Sequence, residues 1–210
     1  MKTITITLII LTQFAYGSDR YTENMKKNIT AVYKAGTMEE LQQAINALER
    51  IGEAEKTKWE PYYYVSFGYV MMATRETEPA AKDKRLDQAL VAWKHAADIV
   101  PNESEVAALE GFIYMMQLTV DPASRGQQYS AMAYGAFGKA VKLNPDNPRA
   151  LYLLAQMQYG TAQHFGKPVQ EACDTLRKAL EKFDTFKPGN ELAPAWGKQQ
   201  AETMKEGCEF

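Results

Sequence analysis

Ala89-Leu90-Val91-Ala92-Trp93-Lys94-His95-Ala96-Ala97-Asp98-Ile99-Val100-Pro101 and Ala133-Tyr134-Gly135-Ala136-Phe137-Gly138-Lys139-Ala140-Val141-Lys142-Leu143-Asn144-Pro145 are one pattern written twice. In each copy an alanine, a bulky aromatic, a second alanine and a proline stand at offsets 0, 4, 7 and 12. Offsets of 4 and 7 put three side chains on one face of a helix. The alanines let a neighbouring helix approach, and the aromatic fills the space between them. The proline cannot continue the helix, so it marks the exit. A third copy, Ala172, Leu176 and Ala179, has its proline late, at Pro188, and a weaker one is Ala44, Leu48 and Ile51.

Working outward, each of the three stronger copies is preceded by another apolar stretch with a small residue at its middle. Residues 62–73 carry Gly68, 106–118 carry Gly111 and 150–163 carry Ala155. Pro61, Asn102 and the Asn147-Pro148 pair supply starts for these helices, and Thr37-Met38-Glu39-Glu40 reads as a capping box for an earlier one. The expectation is all-α: a right-handed α-solenoid of about four helical hairpins at 21–52, 59–100, 102–144 and 146–186. A last helix at about 193–206 would cap the exposed end of the stack.

These residues resemble the tetratricopeptide repeat, a helix-turn-helix module of 34 residues. The match rests on Gly68, Ala89, Trp93, Ala96 and Pro101, then on Gly111, Tyr114, Ala133, Phe137, Ala140 and Pro145, and then on Leu154, Ala155, Ala172, Leu176 and Ala179. One departure is regular. The small residue of the first helix precedes the first alanine of the second by 21, 22 and 17 positions, where the standard repeat has 12. The surplus falls at 75–85, 119–128 and 161–167 and suits loops or helix extensions. The resemblance implies a concave groove lined by the first helix of each pair. Its groove positions here are Tyr62, Val65, Tyr69, Met72 and Ala73; Glu105, Ala108, Phe112, Met115 and Met116; and Arg149, Tyr152, Gln156, Tyr159 and Gly160. A groove rich in Tyr, Phe and Met suits an apolar peptide or helix. The same side chains at helical spacing also read as core.

The N-terminus speaks to compartment. Met1-Lys2, an apolar run from Ile4 to Phe14 and Ala15-Tyr16-Gly17 have the layout of a secretory signal peptide cut near Gly17. The run is shorter than the roughly 20 residues a membrane-spanning helix needs. The chain then reads as periplasmic or secreted, with residues 18–210 forming one repeat domain and no transmembrane segment in the mature part. In an oxidising compartment the two cysteines, Cys173 and Cys208, are a candidate disulfide.

Net charge is −2 with 24% charged residues, so no basic surplus points to nucleic acid. The two histidines, His95 and His164, belong to no metal-spaced cluster. No nucleophile elbow or phosphate loop occurs. The sequence therefore predicts no catalytic, cofactor or metal residues. It predicts a binding scaffold or adaptor of the cell envelope that takes a protein or peptide partner. The alternative is a carbohydrate or small-ligand module built on Trp59 and Tyr62–Tyr64; a third option, a hydrolase on helical hairpins, needs two facing carboxylates.

Overall fold

A computed structural model describes residues 20–208; the stretch read as a signal peptide, 1–17, lies outside the described residues. The described chain is helical, and no strand occurs within it. Helix α1 covers 20–34. It is followed by α2 (Met38–Ala54), α3 (Glu60–Ala73), α4 (Pro79–Ile99), α5 (Ser104–Leu118), α6 (Pro122–Leu143), α7 (Pro148–His164) and α8 (Gln170–Thr185). A short α9 (Lys198–Met204) runs into a single 3-10 turn, Lys205–Gly207. Consecutive helices pair as hairpins, α3 on α4, α5 on α6 and α7 on α8, and the pairs stack into an all-α, solenoid-like array.

Local chemistry explains the boundaries. Thr37 and Glu40 close a reciprocal capping box on α2. Prolines occupy the first turn of α3, α4, α6 and α7, where a missing N–H costs nothing. The Asn147 side chain accepts from the N–H groups of Arg149 and Ala150. Because Pro79 and Pro122 open helices, much of the surplus at 75–85 and 119–128 is extra helical turns of α4 and α6.

The repeated small residues sit at the closest approaches. A Cβ on Gly68 would fall 2.7 Å from Cγ1 of Ile45 on α2, and one on Gly111 would fall 2.3 Å from Cε1 of Phe137 on α6. Ala89, Ala96, Ala133, Phe137 and Ala140 are fully buried. Hydroxyls add to the close fit: Ser66 Oγ donates to the Ala89 carbonyl at 2.9 Å, and Ser104 Oγ to that of Ala140 at 2.8 Å. Two core clusters result, one over α1–α5 and one over α5–α9, and Phe112 and Trp196 pack against both.

The C-terminal end differs from expectation. Residues 186–197 form no regular helix, and α9 begins at Lys198. Pro188, Gly189 and Pro194 break the helical pattern, and Gly197 adopts φ +105°, a conformation L side chains rarely take. This strap runs back over the stack toward the first hairpin.

Candidate functional site

Two faces of α3 lead to two different surroundings. One carries Tyr63, Tyr64 and Phe67 and meets the strap. Trp196 lies nearly parallel between two rings, Phe67 at 4.9 Å and Phe112 at 5.8 Å, with interplanar angles of 26° and 28°. Its indole N–H donates to the Tyr63 hydroxyl at 3.0 Å. The Tyr64 hydroxyl donates to the Leu192 carbonyl at 2.8 Å, and the Ala195 N–H reaches the Tyr33 hydroxyl at 3.3 Å. Glu191 of the strap pairs with Lys26 of α1. Burial pushes the phenol pKa values of Tyr63 and Tyr64 well up, so both stay neutral hydrogen-bonding groups.

Beneath the strap lies a buried ion pair. Arg149, 1% exposed, donates from Nη2 and Nε to the two carboxylate oxygens of Glu105 at 2.6 and 2.8 Å. A third N–H reaches the Trp196 carbonyl at 3.4 Å, and the Phe186 ring covers the guanidinium at 4.5 Å. Burial pushes the Glu105 carboxyl up while the guanidinium beside it pulls it down; burial is the larger effect.

The other face of α3 carries Tyr62, Val65 and Tyr69. These form the floor of an open cleft of about 910 Å³ walled by Glu49 and Glu53 of α2 and by Asp83, Lys84, Asp87, Val91, Ala92 and His95 of α4. The Tyr62 hydroxyl donates to the Gly52 carbonyl at 2.8 Å and that of Tyr69 to Glu49 at 3.1 Å. The His95 imidazole stacks on the Tyr62 ring at 5.2 Å and 26°. Val91 is 64% exposed, an uncovered apolar side chain on the rim. Asp83 binds Arg125 of α6 through both carboxylate oxygens at 2.5 and 2.8 Å, and this contact holds its pKa below the usual aspartate value.

The residues named for the concave groove are thus divided among three environments. Glu105, Phe112 and Arg149 meet at the strap, and Tyr62 and Tyr69 floor the cleft on the other side of α3. Met72, Met115 and Tyr152 are buried at 1%, 8% and 7% exposure, and burial raises the Tyr152 phenol pKa to about 12. Met116 packs half-buried on the first cluster, Tyr159 donates to the Gly207 carbonyl at 3.4 Å, and Gln156 is exposed. Of the residues expected to line the groove, Phe112, Arg149 and Tyr159 thus contact the chain's own C-terminal segment. Of the Trp59/Tyr62–Tyr64 cluster, Tyr63 and Tyr64 are fully buried, and Trp59 and Tyr62 are half-buried. From the sequence, His95 reads as a core or surface residue of its helix, outside any metal-spaced cluster. Nothing in its local spacing signals that Tyr62 lies against it.

Cys173 of α8 and Cys208 are joined by a disulfide that ties the chain end back to the last hairpin. Among the described residues no group of acidic, histidine or cysteine side chains is arranged to hold a metal ion. No helix among them is long and apolar enough to cross a membrane.

No family model matches the sequence, and no curated protein matches it. Among solved structures the chain is similar to the HusA haemophore from Porphyromonas gingivalis, with a TM-score of 0.80 and 26% identity over 90% of this chain and 92% of that one. MamA from Desulfovibrio magneticus RS-1 aligns at 17% identity over 79% of this chain and 96% of that one, with a TM-score of 0.36. A MamA RS-1 double mutant gives 18%, 77%, 96% and 0.35 for the same quantities. The HusA likeness spans the whole stack and is consistent with a binding role. The MamA scores are too low to carry an argument.

Proposed function

We propose that this protein is an exported binding protein, built on tetratricopeptide-like hairpins, that captures a planar tetrapyrrole of the haem class. The observation that carries the reading is the likeness to a protein named a haemophore, extending over 90% of this chain at a TM-score of 0.80.

The cleft between α2 and α4 supports it on chemical grounds. Its volume, about 910 Å³, lies within the roughly 300–1,000 Å³ typical of small-molecule sites. Val65, Val91 and Ala92 supply apolar wall, and Tyr62 with His95 supplies aromatic surface. Of its four carboxylates, Asp83 is neutralised by Arg125, which leaves Glu49, Glu53 and Asp87 to oppose an anionic ligand. Lys84 stands on the same wall as a cation for a propionate. Export is supported by the leader-like 1–17 and by a disulfide, which persists in oxidising compartments. A protein partner is the weaker reading, because Phe112 and Arg149, two of the residues that would meet it, already contact Trp196.

The test is a titration of the mature chain, residues 18–210, with ferric protoporphyrin IX, followed at the Soret band. Saturable one-to-one binding is expected, and Val91→Asp should weaken it about tenfold, a cost near 1.4 kcal/mol. A linear, non-saturating response would sink the reading. Saturable binding untouched by Val91→Asp would remove the ligand from this cleft.

A further inference from the structure

We infer that the cleft between α2 and α4 is a docking groove for a basic, apolar peptide segment of a partner protein, whose arginine side chains sit between its acidic walls. The inference goes beyond the tetrapyrrole reading and does not rest on it.

Charge sets the class of occupant. Glu49 and Glu53 stand one turn apart on α2, and Asp83 and Asp87 one turn apart on α4, so each wall presents a pair of carboxylates. Asp83 is matched by Arg125. Glu53 and Asp87 are exposed, and neither has an ion-pair or hydrogen-bond partner among the described residues. Glu49 accepts a hydrogen bond from the Tyr69 hydroxyl, which leaves its charge uncancelled. Lys84 is the one lysine or arginine on the lining. Three carboxylates against one ammonium favour a cationic occupant.

Surface and shape make that occupant a peptide. The Tyr62 and Tyr69 hydroxyls are engaged with the Gly52 carbonyl and with Glu49, so the floor offers a ligand ring and methyl surface rather than donors. Val91 stands uncovered on the rim. A small amine would use the carboxylates and leave this apolar surface wet, and the carboxylates are not arranged to hold a metal ion. Arginine meets both demands. Its guanidinium binds a carboxylate at two points and lies flat on an aromatic ring, while its methylene stem covers apolar surface. The α4 wall runs from Ala80 to His95, roughly 20 Å of helix, which an extended segment of about six residues would span. No strap residue lines the cleft, so docking requires no movement of the strap.

The test is fluorescence anisotropy of the oxidised mature chain, residues 18–210, with a fluorescein-labelled hexapeptide of alternating arginine and leucine. Binding should be saturable, one-to-one and weaker in high salt. Glu53→Gln with Asp87→Asn should weaken it at least about tenfold. Glu23→Gln with Glu181→Gln, which removes two exposed carboxylates outside the cleft, should stay within about twofold of wild type. Circular dichroism checks that both variants keep their helicity. Exchanging the leucines for serine should also cost at least about tenfold, and spermidine at the peptide's concentration should displace little of it. An equal loss in both variant pairs marks attraction by the chain's overall charge and overturns the inference. A serine peptide that binds as tightly, or spermidine that displaces the peptide evenly, marks a bare cation site and overturns it too. A wild type that takes ferric protoporphyrin IX but not the peptide overturns the inference and leaves the tetrapyrrole reading standing. One that takes the peptide but not the porphyrin does the reverse.

Discussion

Reducing the Cys173–Cys208 bridge is the perturbation whose size follows most directly from the fold. The cysteines are 35 residues apart in sequence, so the bridge removes the closure entropy of a loop of that length from the unfolded chain. The chain-entropy relation gives about 4 kcal/mol for such a loop. For a domain of this size each kcal/mol moves Tm by about 2–4 °C, so full reduction should lower Tm by about 8–16 °C. The assay is calorimetry of the oxidised chain and of the same chain held in a phosphine reductant, with urea unfolding alongside. The urea m-value should rise on reduction, because an unfolded chain freed of its crosslink exposes more surface. A Tm shift below about 2 °C with an unchanged m-value would refute the reasoning, since the closed loop would then hold little of the unfolded ensemble.

Trp196→Ala removes an indole stacked between Phe67 and Phe112 and should cost about 3–5 kcal/mol in urea unfolding, with faster hydrogen exchange at the Tyr63 and Tyr64 amides. Arg149→Met leaves Glu105 buried without its partner and should cost about 3–5 kcal/mol; adding Glu105→Gln should recover part of that loss, as a double-mutant cycle would show. Gly111→Ala drives a methyl into the Phe137 ring and should cost about 1–3 kcal/mol, whereas Gly138→Ala, with open space around it, should not destabilise. Asp83 has a lowered folded pKa, so its pairing with Arg125 stabilises above the ordinary aspartate range and is lost as pH falls through the folded value. Asp83→Asn should therefore flatten the acid limb of the stability profile between those two values, by no more than about 1 kcal/mol for so accessible a pair.

How much of this could be read in the sequence depended on whether neighbours in the chain are neighbours in space. The hairpins were legible because Ala89, Trp93, Ala96 and Pro101 report on a partner helix close by in sequence. The strap was not. Tyr64 meets Leu192 across 128 residues and Tyr33 meets Ala195 across 162, and no periodicity records such contacts. Cys208 was the one trace, since a bridge to Cys173 requires the end of the chain to turn back. The facing of α3 was also hidden. Residues 61–70 are buried except for Tyr62, which is half-buried, so no polar side marks which residues look toward the groove. Family spacing pointed to Tyr62, Val65 and Tyr69; the strap meets Tyr63, Tyr64 and Phe67 instead. His95 was unreadable for a related reason: its partner is Tyr62, 33 residues earlier on the other helix of its hairpin.

The strap also sets an order of events. Until residues 187–208 have been made, the aromatic side chains of α1, α3 and α5 that it covers have nothing to rest against, although the helices bearing them are already complete. A nascent or truncated chain ending before Leu192 would present Tyr64, Phe67 and Phe112 to the solvent as a wet, sticky surface. Closure of the whole stack therefore waits on residues 187–208.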